Sequence, residues 1–195
     1  LIYLAITRPD LRYTGGLISQ FMLQPMVKHL QCAQRILRYV NVTKDRALLY
    51  WTGVAQELVG YMDAGLAGNA SDHRSTFRFA FSLGSAAIAW SSKKQLIVAL
   101  WSSEAEYRGV AVTTCEAIWL KRLLKDLHME VSEPTVIYCD NLNSIQLAKH
   151  PVFHARTKHI EVHYHFVCEC VFSGEVELVF VSTDWQLADI FTKSL

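Results

Sequence analysis

Apolar and polar residues follow a helical rhythm at the start of this chain and a mixed strand-and-helix rhythm from residue 58 onward. Leu30, Ala33, Leu37 and Val40 recur at helical spacing and predict a helix over 27–40 with one apolar face. A second helix is predicted over 9–22, and Pro25 separates the two. A turn, a short strand at 47–51 and another turn lead to residue 57. Residues 58–62 then read as a strand closed by Asp63, and 65–75 as a loop rich in Gly, Asn, Asp and Ser. Strands are predicted at 76–83 and 86–90, joined by Gly84-Ser85 as a hairpin turn and followed by a polar, basic loop at 91–95. A long helix over 104–127 carries Tyr107, Val110, Thr114, Ala117, Leu120, Leu124 and Leu127 as its apolar stripe. Residues 135–139 hold an unbroken apolar run, as a strand buried on both faces should. Helices at 141–148 and 157–172, a strand at 175–181 and a last helix from Thr183 complete the series. Thr183 and Gln186 fit a capping box there. Hairpin-linked strands followed by alternating elements predict an α/β fold, a mixed sheet covered by helices behind an N-terminal helical segment. No internal repeat is visible.

The chain has 195 residues, half of them apolar, which suffices for one domain with a smaller appendage. No apolar run reaches the length of a membrane span, and Leu1-Ile2-Tyr3-Leu4 lacks the basic leader and cleavage site of a signal peptide. The chain starts without Met and stops at Lys193-Ser194-Leu195, as a piece of a longer one would. A net charge of +1 excludes a protein that grips nucleic acid over its whole surface but leaves room for a local basic groove. The cysteines (Cys32, Cys115, Cys139, Cys168, Cys170) are odd in number, form no CxxC pair and sit partly in apolar runs. They read as reduced, intracellular and mostly buried.

Four acids stand out by position. Asp63 and Asp140 close strands, where sites form in open α/β sheets. Glu106 lies in the first turn of the long helix and Asp189 in the last helix. Carboxylates gathered in one crevice repel one another unless a cation neutralises them, and hard oxygen ligands suit magnesium or manganese. Two such ions ~3.5–4 Å apart stabilise both the attacking and the leaving oxygen of a phosphodiester. Each acid also has a plainer reading. Asp63 and Asp140 fit strand-end turns, Glu106 a capping box with Ser103, and Asp189 a pair with Lys193.

Longer words in the sequence decide more. Trp90-Ser91-Ser92-Lys93-Lys94-Gln95, Glu104-Ala105-Glu106-Tyr107, Ala117-Ile118-Trp119-Leu120-Lys121-Arg122-Leu123-Leu124 and Cys139-Asp140-Asn141 occur in order. Pro151-Val152-Phe153-His154, Lys158-His159-Ile160-Glu161 and Gln186-Leu187-Ala188-Asp189-Ile190-Phe191-Thr192-Lys193 follow. Over nearly its whole length the chain resembles the C-terminal ribonuclease H region of copia-type retrotransposon Pol polyproteins. Thr7-Arg8-Pro9-Asp10 and Arg35-Ile36-Leu37-Arg38-Tyr39 resemble the segment that joins the polymerase to that region.

The resemblance implies residues 1–50 as a helical connection segment and 57–195 as an RNase H-like domain with a mixed five-stranded sheet. It implies hydrolysis of the RNA strand of an RNA–DNA hybrid during reverse transcription, with two Mg²⁺ or Mn²⁺ ions. Asp63, Glu106 (rather than Glu104, because Tyr107 and Gly109 follow it), Asp140 and Asp189 are the implied catalytic carboxylates and metal ligands. Partners would be the hybrid, the reverse transcriptase and other parts of the same polyprotein, with no membrane. The place would be intracellular: a cytoplasmic virus-like particle, or the nucleus. Lys93, Lys94, Arg74, Lys158 and His159 are the candidate contacts to the nucleic-acid backbone, where positive charge binds without reading sequence. The polymerase's own Tyr-x-Asp-Asp word is absent; Tyr61-Met62-Asp63-Ala64 lacks its second Asp.

The chain departs from the family's wording in places. Asp63-Ala64-Gly65-Leu66 stands where Asp-Ala-Asp-Trp is usual, and Phe77-Arg78-Phe79 where a Ser-Gly-Tyr word is usual. The stretch 182–187 is too short for the His-bearing loop of cellular ribonucleases H. Such departures would also fit an inactive, degenerate copy kept as a scaffold or binding module. An integrase on the same fold ranks last: Glu175 lies near the needed spacing from Asp140 but opens a strand. His159, His163, His165, Cys168 and Cys170 form a run that hints at zinc, yet their spacing by two splits them across a helix. Trp90, Trp119 and Trp185 are expected in the core.

Overall fold

A computed structural model describes residues 2–65, 75–95, 102–129, 131–149 and 161–191. The first elements are helices α1 (Leu4–Thr7), α2 (Arg12–Ser19) and α3 (Val27–Val42), with a 3-10 turn at Pro9–Leu11. Strands β1 (Leu58–Gly65), β2 (Thr76–Leu83) and β3 (Ala86–Lys94) follow, then helix α4 (Ser102–Asp126). Strand β4 (Thr135–Cys139), helices α5 (Leu142–Lys149) and α6 (Glu161–Phe172), and strand β5 (Val176–Phe180) come next. Two 3-10 turns, Thr183–Trp185 and Leu187–Phe191, end the described chain.

The five strands form one sheet in the order β3-β2-β1-β4-β5, the hairpins antiparallel and β1-β4-β5 parallel. The expected mixed sheet with flanking helices is therefore present. One face carries Met62, Phe77, Phe79, Phe81, Ile137 and Leu178, and packs with Tyr107, Val110, Ala117, Leu120 and Val167 of α4 and α6 into one apolar core. Gly84 makes the hairpin turn at φ +60°, a backbone conformation that costs other residues a clash at Cβ. Among the described residues no helix is long and apolar enough to cross a membrane.

Several expectations need correcting. Residues 47–51 form no strand. They lie along the β2–β3 hairpin through other bonds: the Tyr50 hydroxyl donates to the Ala87 carbonyl (2.7 Å) and the Trp51 amide to Ser85 Oγ (2.9 Å). Strand β3 runs on through Lys94, so Lys93 and Lys94 belong to a strand and not to a loop, because β2 offers Phe77 and Thr76 as pairing partners. No long last helix forms from Thr183. Ser182, not Thr183, stands before the first turn, without a side-chain cap. Gln186 turns inward instead of capping.

The N-terminal segment is held by a polar lock. Arg8 pairs with Asp10 at 2.7 Å and donates to Thr43 Oγ1 at 2.8 Å, while the Tyr39 hydroxyl donates to Asp10 at 2.9 Å. This ties the Arg8-Pro9-Asp10 word to the end of α3. On the predicted apolar face Leu30 and Leu37 are exposed and Ala33 and Val40 half-buried, while Ile36 is buried. Trp90 Nε1 donates to the Ala5 carbonyl at 3.2 Å and joins this segment to the sheet.

Candidate active site

The site follows from where parallel pairing stops. Strands β1 and β4 pair from Val59–Val136 to Met62–Cys139. Asp63 and Asp140 are the next residue on each strand, side by side at the carboxyl ends of a parallel pair. Asp63 is nonetheless inside β1, because β2 extends the strand on its other edge as far as Gly65. Asn141 then caps α5, its Oδ1 accepting from the Ser144 amide at 3.0 Å, which fixes the chain just after Asp140.

Glu106 is brought to the same place by the fit of α4 against β1. A Cβ on Gly109 would lie 3.2 Å from Met62 Sδ and 3.3 Å from Ala64 Cβ, so the helix reaches this close only without a side chain there. Glu106, one turn earlier, then faces the two aspartates. Asp189 arrives from the last 3-10 turn, which packs against β1 and β2. Gln186, itself buried, anchors this turn: its Nε2 donates to the Met62 carbonyl at 2.9 Å, and its Oε1 accepts from the Ala188 amide at 3.3 Å. Gln186→Ala should cost about 1–3 kcal/mol by breaking that buried link. Urea unfolding would measure it as a lower midpoint at unchanged slope.

Glu106 and Asp140 respond to the acids around them. Burial first, then the charges of Asp140 and Asp63, push the Glu106 carboxyl up to about 7. Burial also raises Asp140, with Asp63 and Asp189 adding to the rise against a backbone hydrogen bond and the Thr183 hydroxyl. That hydroxyl donates to Asp140 Oδ2 at 3.5 Å. The neighbouring Cys139 thiol, buried and facing Asp140, Glu106 and Asp63, is pushed up to about 12.

One partner was not expected. Arg78 stands opposite Asp63 in the β1–β2 register, and its Nη1 lies 2.6 Å from Asp63 Oδ2. Glu104, the rejected alternative to Glu106, pairs with Arg108 at 3.0 Å. The departure at Arg78 was visible in the sequence, but its meaning depends on cross-strand register.

Of the candidate backbone contacts, Lys93 and Lys94 line a cavity of about 490 Å³ together with Phe77, Gln95, Arg108, Val112 and His163. Arg74, Lys158 and His159 lie outside the described residues, as do His154 and Lys193. Trp119 and Trp185 are exposed rather than in the core, and the sequence carried no signal for this. Cys139, Cys168 and Cys170 are buried as expected, whereas Cys32 and Cys115 are exposed.

As the side chains stand, no three acidic, histidine or cysteine groups among the described residues close on one point fit for a metal ion. The chemistry of the donors still suits a hard cation. Glu106 Oε2 is buried without a hydrogen-bond partner, and Glu106 and Asp140 are both penalised for their charge. A divalent ion would relieve each of these conditions, and all four positions offer it hard carboxylate oxygens.

No model of a known protein family matches the chain. It is 46% identical, over all of its length, to the retrovirus-related Pol polyprotein from transposon RE1 of Arabidopsis thaliana. It is 39% identical over 96% of its length to the corresponding polyprotein from transposon TNT 1-94 of Nicotiana tabacum. The chain spans only 13% and 14% of these two relatives. Among solved structures, LC11-RNase H1 in complex with an RNA/DNA hybrid superposes with a TM-score of 0.51 at 12% identity, covering 68% of this chain and 91% of that one. At that identity the likeness concerns the fold, which is that of RNase H.

Proposed function

This chain belongs to the retrovirus-related Pol polyproteins of copia-type transposons, and we propose on that premise that its RNase H-like domain hydrolyses the RNA strand of RNA–DNA hybrids. The observation that carries the reading is Glu106: a carboxyl with a buried, unpartnered oxygen, held up to about 7 by its own burial and by Asp140 and Asp63. Such a cluster is unfavourable by itself and becomes favourable around a cation.

Asp63, Glu106, Asp140 and Asp189 would hold two Mg²⁺ or Mn²⁺ ions. When bound, these supply a water activated for attack and neutralise charge on the phosphate. The chain's own residues do the rest. Thr183 steadies Asp140 through its hydroxyl, Gln186 sets the turn that bears Asp189, and Gly109 sets the depth of Glu106. The cavity lined by Lys93 and Lys94 offers positive charge to a phosphate backbone next to the N-terminal turns of α4. Arg74, Lys158 and His159 are proposed as further backbone contacts. Choice of the RNA strand would rest on its 2′-hydroxyl. Residues 1–50 are proposed as the connection from the reverse transcriptase, and 57–195 as the nuclease domain, both acting within the polyprotein.

The test is cleavage of an end-labelled RNA–DNA hybrid with Mg²⁺, beside a chelator control and Asp140→Asn. The expected result is cutting of the RNA strand alone, absent from both controls. No cutting by a folded protein in either Mg²⁺ or Mn²⁺ would overturn the reading and leave a binding or scaffold module of the same fold.

A further inference from the structure

Arg78 and Asp63 form the shortest ion pair of the described residues at 2.6 Å, and their side chains are only 13% and 16% exposed. Their pairing follows from register, since the two residues are direct cross-strand neighbours on β2 and β1. The guanidinium lies beside Gly65, two residues beyond Asp63. A Cβ added there would meet the Arg78 nitrogens Nη2 and Nη1 at 3.4 and 3.5 Å. Gly65 on β1 and Arg78 on β2, two of the positions at which the chain departs from the family's wording, are therefore neighbours.

We infer that Arg78 is a built-in counter-cation of the carboxylate site, which engages Asp63 in the absence of metal and thereby weakens divalent-cation binding. The inference rests on the reading of the four acids as a metal site. Two costs oppose an ion that arrives there. Asp63 Oδ2 must give up a charge-assisted hydrogen bond, which is among the stronger bonds a side chain makes. The ion must also settle near a fixed positive charge in a partly water-excluded place, where like charges repel more than in bulk water. Among the described residues Arg78 bonds Asp63 alone, so Glu106 Oε2 keeps its buried, unpartnered state and can still take a cation.

The experiment is calorimetric titration of Mn²⁺ into the wild-type chain, Arg78→Gln and Arg78→Met, each alone and combined with Asp140→Asn, with melting curves taken in chelator and in Mn²⁺. Gln keeps polarity at shorter reach, while Met keeps an unbranched chain without charge or donors, so folding of one variant suffices. Binding should tighten by roughly ten- to a hundredfold on removal of the guanidinium charge, and Asp140→Asn should remove that gain. Melting temperatures of the Arg78 variants should fall in chelator and recover in Mn²⁺. An arginine with a merely structural role would lower both alike. Equal Mn²⁺ affinity in wild type and variants, still weakened by Asp140→Asn, would overturn the inference and leave the metal site standing. Binding that ignores Asp140→Asn in every protein would overturn the metal site, and the inference with it.

Discussion

Glu106→Gln is expected to lose hybrid cleavage by roughly a hundredfold or more while melting above the wild type in metal-free buffer at pH 8. The loss of activity follows from the proposed ligand role. Removing even an outer partner of a metal ligand typically costs ~10–100-fold, and the ligand itself should cost more. The gain in stability follows from the position of Glu106. Its carboxyl is pushed up to about 7 in the folded chain, against an ordinary value of 4.5. Below 4.5 both folded and unfolded chains are protonated there, and the group is neutral to folding. Between 4.5 and 7 the unfolded chain ionises while the folded chain does not, so stability falls as pH rises through this window. Above 7 the full penalty is present. With solvent screening discounted it amounts to about 1–2 kcal/mol, or a few degrees of melting temperature in a chain of this size. Gln is neutral at every pH and removes the penalty. The same titration sets the pH dependence of metal binding: below about 7 protons compete for Glu106, so affinity for Mn²⁺ should fall by up to ~tenfold per pH unit. Melting curves in chelator at pH 5 and pH 8 measure the first effect, and Mn²⁺ titrations at pH 6 and pH 8 the second. A variant as unstable as, or less stable than, the wild type at pH 8 would refute the electrostatic account.

How far the site was legible depended on how local its determinants are. Strand β4 is apolar on both faces and carries its own signal, so 135–139 and the placement of Asp140 after it were readable residue by residue. The long helix announced itself by its stripe, and Glu106 by its place before Tyr107 and Gly109. What could not be read were consequences of pairing. β1 and β3 run longer than their apolar patterns suggest because β2 supplies partners for Ala64, Gly65, Lys93 and Lys94. The Arg78–Asp63 pair is a product of that same register, invisible in either strand alone. Gln186 presents a comparable case. Local spacing suggested a cap, yet a backbone carbonyl on β1, 124 residues away in sequence, is its actual partner. Helix α3 shows the opposite failure, in which helical periodicity was real but the described chain offers nothing to cover Leu30 and Leu37.

Gly109→Leu should destabilise the fold by about 3 kcal/mol or more, the largest stability loss foreseen here, because overpacking acts where both neighbours are constrained. Met62 is fully buried, and the only flexible atom in the way is its Sδ at 3.2 Å. Ala64 Cβ at 3.3 Å and Phe77 Cβ at 3.5 Å are set by the backbones of β1 and β2 and cannot swing aside. A leucine must therefore move α4 away from the sheet. Gly109→Ala separates this from helix propensity. Alanine gains up to about 1 kcal/mol as a better helix former, while its Cβ needs only a few tenths of an ångström from its neighbours. Its net effect should be small, whereas leucine's should be large and should take Glu106 out of reach of Asp63 and Asp140. The discriminating measurement is the Mn²⁺ affinity of whatever fraction of Gly109→Leu stays folded, beside that of Gly109→Ala. Loss of binding in the leucine variant alone would tie the depth of the helix to the assembly of the site. Unchanged binding in a folded leucine variant would mean that Glu106 reaches the aspartates without the close approach of α4 to β1.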